Sequence, residues 1–178
     1  MRLYTVGHSI RSLGELLAVL RAHGIRRLVD VRTVPRSRRH PHFDREALAK
    51  SLDAAGIAYE HAAELGGLRR PDPASLNGGL ANPSLRAYAD HMRTAAFDRA
   101  LAGVLERAAR ERTVVMCAEL DWKRCHRQLL ADAAVVSGAE VVHLLDRDRV
   151  ERHRMHPAAR VEGGRVRYPP AQESIEGL

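Results

Sequence analysis

Both cysteines of the chain fall in one short stretch, Cys117-Ala118-Glu119-Leu120-Asp121-Trp122-Lys123-Arg124-Cys125-His126-Arg127. It holds two thiols, an imidazole, two guanidiniums and carboxylates. A thiol near a helix N-terminus, with arginines around it, is expected to ionise below the ordinary thiol range. That suits a nucleophile or a metal ligand, and Cys117 and Cys125 are the candidates. Both positions also suit a small packing residue. The cysteine spacing matches no standard zinc pattern, so a centre built from Cys117, Glu119, Cys125 and His126 rests on donor type alone, and no metal is expected. The stretch also misses the phosphatase loop of Cys, five residues, Arg, because six residues separate Cys117 from Arg124. Glu119 reads as a general base, as the orienter of a histidine, or as a clamp on an arginine.

Two other groups belong with these. Gly7-His8-Ser9 follows an apolar run, which places His8 at a strand tip; His8 or His126 is the expected proton carrier, and Ser9 a substrate contact. Arg32, Arg36 and Arg38 leave the end of a second apolar run. Guanidiniums in such a loop suit forked recognition of phosphate or carboxylate. Arg124 and Arg127 fall in the expected first turn of a helix, the wrong end for cations unless an anion sits among them. Arg69, Tyr88 and Trp122 complete the set of expected substrate contacts, with Trp122 able to stack on a ring.

The elements that must position these groups alternate. Leu3 to Val6 reads as a strand. Ser12 and Glu15 form a capping box for a helix with Leu13, Leu16, Leu17 and Leu20 as its stripe. Leu28-Val29-Asp30-Val31-Arg32 is the second strand, so the start of the chain is a βαβ unit with parallel strands. Asp44 opens a helix that stops at Gly56, and Ile57 to Glu60 is a third strand. Residues 62–83 form a long irregular segment, read either as a binding loop or as a disordered insertion. Asn82-Pro83 opens one helix, and another follows to about Arg110. Thr113 to Cys117 is the fourth strand, followed by a helix to about Val136 that Cys125 opens. Glu140 to Leu145 is the fifth strand. Arg160 to Tyr168 reads as a hairpin turning at Gly163-Gly164. The expected fold is α/β: a mostly parallel sheet of about five strands with helices on both faces, a single domain. Residues 1–145 form its core and residues 146–178 an Arg- and His-rich extension with a loose tail. The three chemical groups then sit at strand ends on one edge, where open α/β sheets bind ligands.

Composition bounds the partners. The 178 residues are 45% hydrophobic and 29% charged, with 29 basic against 22 acidic side chains, net +7. One core of ordinary size fits that length. The basic excess favours an anionic partner: phosphate, nucleotide or nucleic acid. It equally fits an Arg-rich composition with no functional meaning. No apolar run is long enough for a membrane span, and the N-terminus shows no signal-peptide pattern. A cytoplasmic protein with unlinked thiols is expected. Oligomeric state and cofactor are not legible.

Several motifs agree as a set: Thr5-Val6-Gly7-His8-Ser9, Leu28-Val29-Asp30-Val31-Arg32, Pro35-Arg36-Ser37-Arg38, Leu65-Gly66-Gly67, Tyr88-Ala89-Asp90-His91-Met92, Met116-Cys117-Ala118-Glu119 and Cys125-His126-Arg127. Together they resemble the prokaryotic family known as domain of unknown function 488, over nearly the whole chain. The resemblance implies one shared pocket and no particular reaction. It departs at Asp121-Trp122-Lys123, where the family often has proline. The Leu-Val-Asp-Val-Arg strand and a cysteine at a strand-to-helix turn also look faintly like rhodaneses, by analogy only. Three functions compete. One is an enzyme on a phosphorylated or nucleic-acid-derived substrate. The second is a nucleic-acid-binding module using the basic loop and Arg147 to Arg154. The third is a thiol or metal sensor.

Overall fold

A computed structural model describes residues 1–171. The first strand, β1 (Arg2–Gly7), is apolar on both faces because both are covered. Helix α1 (Leu13–Ala22) follows, opened by Ser12 and Glu15 in a reciprocal capping box and buried through Leu16, Val19 and Leu20. Then come β2 (Arg27–Asp30), α2 (Arg45–Ala54) and β3 (Ala58–His61). Helices α3 (Pro83–His91) and α4 (Ala95–Arg110) precede β4 (Thr113–Cys117), α5 (Arg127–Val136) and β5 (Glu140–Leu144). The chain then adds β6 (Val150–Arg152) and a hairpin of β7 (Arg160–Glu162) and β8 (Arg165–Arg167).

The main sheet has six strands in the order β3-β2-β4-β1-β5-β6. The first five are parallel, and β6 runs antiparallel on the edge beside β5. Side chains alternate between two cores. Leu3, Val29, Val115 and Val141 point to the face covered by α3, α4 and α5. Tyr4, Val6, Leu28, Val114, Met116 and Val142 point to the face covered by α1 and α2. Helices on both faces of a mostly parallel sheet make this α/β, in a single domain. Among the described residues, no helix is long and apolar enough to cross a membrane.

Four features differ from the sequence reading. Strand β6 was not foreseen: its three residues carry no apolar alternation, and its antiparallel pairing to β5 depends on the turn after Leu145. Helix α5 starts later than expected. A 3₁₀ turn at Trp122–Arg124 comes first, Cys125 is extended, and His126 is the N-cap. Asp44 opens α2 but makes no side-chain cap; its carboxylate accepts the Ser37 N–H at 2.7 Å and braces the basic loop. Finally, residues 62–83 are irregular but seated. Leu65 and Leu80 are in the core, and the Asn77 side chain bridges Asp90 and the Tyr168 N–H. The end of the expected tail, residues 172–178, lies outside the described residues.

Candidate active site

Strands β1 and β4 are neighbours, with Gly7 paired to Cys117. The chain leaves β1 toward α1 on one face and leaves β4 toward α5 on the other. Neighbouring strands whose connections part in this way open a crevice beyond their C-terminal ends. A cleft of about 380 Å³ lies there. Its walls come from Gly7's successor His8, from the loop after β2, from Gly67 and Leu68, from the start of α3, and from residues 117–119 and 124–126. Close backbone approach makes the junction possible. A Cβ on Gly7 would lie 1.9 Å from the Glu119 carbonyl oxygen, so only glycine lets the two strand exits run together.

The thiols meet at the floor of this cleft. Cys117 Sγ lies 3.1 Å from Cys125 Sγ, and the two are unlinked. Cys125 Sγ also has His126 Nδ1 at 3.5 Å and accepts the Arg127 backbone N–H at 3.5 Å. These groups hold the Cys125 thiol well below its usual range, with the Cys117 S–H as the largest cause. Cys117 moves the opposite way: burial, then its hydrogen bond to Cys125, pushes its thiol up. The two shifts agree in direction: Cys125 is the more acidic thiol of the pair and Cys117 the less acidic. Gly67 covers His126, since a Cβ there would lie 2.5 Å from Nδ1. The Tyr88 ring packs edge-on to the imidazole, centroids 5.1 Å apart. His126 Nε2 is buried with no hydrogen-bond partner. Cys117, Cys125 and His126 are also the one group of three metal-type ligands among the described residues, all within 4.8 Å of one another.

His8 and Arg32 form the adjoining wall. Arg32 is fixed by Asp30 from both nitrogens, Nε to Oδ1 at 2.9 Å and Nη2 to Oδ2 at 2.6 Å. Nη2 also donates to the Phe43 carbonyl. That leaves Nη1 facing His8 Nε2 at 3.4 Å. His8 Nδ1 meets the Ser9 carbonyl at 3.0 Å, and the ring lies on Phe43. Burial, aided by the Arg32 charge, lowers the His8 pKa to about 4. The imidazole is neutral at pH 7, with Nδ1–H donating to Ser9 and the Nε2 lone pair toward Arg32.

The remaining expected site residues divide. Arg36, Arg124 and Glu119 line the cleft. All three are exposed, and the guanidiniums of Arg36 and Arg124 make no hydrogen bond or ion pair among the described residues. Glu119 accepts its neighbour's N–H, from Leu120, at 3.0 Å. Among the described residues it makes no hydrogen bond or ion pair to a histidine or arginine, so the orienter and clamp roles have no such bond behind them. Arg127 is a correction: it is fully buried and donates to the carbonyls of Glu119 and Leu120 and to Thr5 Oγ1. It ties the β4 exit to β1 and cannot meet a ligand. Trp122 is buried too, stacked on His143 at 3.8 Å, with its N–H on Glu151. Tyr88 is buried and donates to the Leu65 carbonyl. Arg69 clasps the carbonyls of Ala63, Glu64 and Gly66. Arg38 is exposed outside the cleft. Ser9 is held at φ 47 by its N–H on the Ala118 carbonyl. Arg147 to Arg154 belong to the β6 edge and do not line the cleft.

Sequence reasoning placed Gly67 and Asp30 in the shared motif set without a role for either, and missed the α3 start at Asn82 and Ser84 as part of this site. Asp30 had a signal: an acid inside an apolar strand, two residues before an arginine, needs a partner. Asn82 was legible as a cap but not as a wall.

The family model described as Domain of unknown function DUF488 matches residues 12–134. The matched stretch runs from the N-cap of α1 into α5 and takes in Arg32, Arg36, Cys117, Cys125 and His126; His8 lies just before it. No curated protein matches, and no solved structure matches. Because the match spans well over half of the chain and covers the cleft's thiols and arginines, this chain belongs to the DUF488 family, a domain of unknown function.

Proposed function

We propose that the protein is an enzyme acting on a phosphorylated or nucleic-acid-derived substrate, with Cys125 as its nucleophile. The observation that supports it most is the paired Cys125 and Cys117 sulfurs at the floor of an open cleft whose rim carries the guanidiniums of Arg36 and Arg124, unpaired among the described residues. A thiolate supported by a second thiol, an imidazole and a backbone N–H is an activated nucleophile. The rim guanidiniums suit an anionic group. Val34, Leu68 and Leu85 line the same cleft and suit an apolar or planar body. A second groove shares Asn82, Leu85, Glu119 and Arg124 and runs on to Lys123 and His156, which leaves room for more than one nucleotide unit.

In this reading the Cys125 sulfur attacks the electrophilic centre, His126 Nδ1 stays on the sulfur it faces, and the leaving group takes a proton from solvent. In the second half-reaction the attacking water gives its proton to solvent, and His8, held by Arg32, forms the wall beside it. Arg32 positions His8, and Arg36 and Arg124 hold the anion. Two unlinked thiols of this kind suit a reducing compartment such as the cytosol.

Alkylation by iodoacetamide, followed at each cysteine by peptide mass spectrometry, tests the reading. The Cys125 rate should stay nearly constant from about pH 8 down to about pH 5, where free cysteine slows about tenfold per unit. Inorganic phosphate or a nucleoside monophosphate should slow it. A Cys125 rate that tracks free cysteine, or that ignores both anions, would sink the reading.

A further inference from the structure

We propose that Cys117 and Cys125 form a reversible disulfide when the protein meets a peroxide, Cys125 being oxidised first and Cys117 resolving it. The inference builds on the same sulfur as the proposed reaction and adds a second chemistry to it. Three observations carry it. The sulfurs are 3.1 Å apart, so bond formation needs them to close by only about 1 Å. Both cysteines lie outside the helices: Cys117 ends β4, and Cys125 is an extended residue between the 3₁₀ turn and α5. The backbone bonds of Cys125 are those of the turn leading into α5, its N–H on the Trp122 carbonyl and its carbonyl under the Gln128 N–H, at the edge of the helix and not inside it. Finally, access is unequal. Both cysteines line the cleft, Cys125 at 7% exposed and Cys117 at 2%.

The same distance bears on the rival use of these ligands. Two thiolates on one tetrahedral zinc, each about 2.3 Å from the metal, stand about 3.8 Å apart. The pair is closer than that, and Gly67 covers the Nδ1 edge of His126. The arrangement favours sulfur–sulfur chemistry over a shared cation.

The steps balance. The Cys125 thiolate attacks one peroxide oxygen; the S–O bond forms, the O–O bond breaks, and hydroxide leaves, protonated to water. Cys125 is now a sulfenic acid, oxidised by two electrons. The Cys117 sulfur attacks the Cys125 sulfur; the S–S bond forms, the S–O bond breaks, and the Cys117 proton departs with the hydroxyl as a second water. An external dithiol restores both thiols by exchange. The buried partner would convert the sulfenic acid before a second peroxide takes it to the irreversible sulfinic acid.

The full chain, treated with one equivalent of hydrogen peroxide and mapped by mass spectrometry, should yield a Cys117–Cys125 linked peptide that dithiothreitol reverses. Cys117→Ala should instead stop at a sulfenic acid on Cys125, trapped by dimedone. Cys125→Ser should leave Cys117 unmodified. The fluorescence of Trp122, the only tryptophan, reports whether each variant keeps its fold. If the native chain stops at a dimedone-reactive Cys125 while its alkylation is as proposed above, the disulfide is overturned and the enzyme reading stands. Ordinary alkylation alongside a normal disulfide removes the enzyme reading and leaves this one. Stoichiometric zinc in freshly purified protein, shielding both thiols from peroxide, also overturns it.

Discussion

Asp30 decides what Arg32 can do. The carboxylate is fully buried and holds the guanidinium from two sides. Tyr59 OH adds a third bond to it at 2.9 Å. Removing one charge of such a pair strands the other. Asp30→Asn should cost about 3–5 kcal/mol in urea unfolding; a loss under about 1 kcal/mol would mean that Arg32 finds water instead. His8 makes a pH-dependent contribution of known sign. Its pKa is lowered to about 4 in the folded protein, against about 6.5 in the unfolded chain. As pH falls, the unfolded chain takes up the proton first. Stability that is full above about pH 6.5 therefore declines down to about pH 4. His143, also lowered by burial, acts in the same direction. Unfolding of His8→Gln across that window should show a shallower decline, by roughly 1–3 kcal/mol. Parallel curves would mean that His8 titrates normally.

At the scale of elements, the site depends on where loops press against strand ends. The segment after β3 turns at Ala63–Leu65 and then lays Gly66 on Thr33 and Gly67 on His126. A Cβ on Gly66 would lie 2.7 Å from the Thr33 backbone, and one on Gly67 would strike the imidazole. Gly67→Ala should displace His126 and slow Cys125 alkylation about tenfold at pH 5, with the unfolding midpoint little changed. An unchanged rate would detach His126 from the thiolate. The late start of α5 has a related consequence. Because His126 is the N-cap and Arg127 opens the helix, Arg127 turns inward to the Glu119 and Leu120 carbonyls while Arg124 stays at the rim. Adjacent arginines in sequence thus acquire opposite roles.

Over the whole molecule, Val166 and Tyr168 carry the described part of the segment after β5 into the core. Asp132 on α5 is fully buried and accepts from Tyr168 OH at 2.7 Å, His153 Nε2 at 2.6 Å and the His156 N–H at 3.2 Å. His153 continues to His143, and His143 to Thr5 on β1. The network fastens β6 and the β7–β8 hairpin to α5 and the sheet. Tyr168→Phe removes one donor from Asp132 and should lower stability by about 1–2 kcal/mol while leaving Cys125 alkylation unaltered. A change in alkylation would tie this network to the thiols.

The chain's own order was enough for most of the elements, because hydrophobic period, the Ser12–Glu15 and Asn82–Pro83 caps and the glycine stops are local signals. It also sufficed to bring His8, Arg32 and Cys117 to one edge, since parallel strands all end on the same side. Direction of side chains was another matter. Arg127, Trp122, Tyr88 and Arg69 have the same chemistry as rim residues, and only packing against distant partners such as His143 and the Leu65 carbonyl turned them inward. The pairing of Cys117 with Cys125 and the insertion of β4 between β1 and β2 are likewise long-range outcomes. They follow from which apolar faces bury together, a property of the folded whole that no local pattern records.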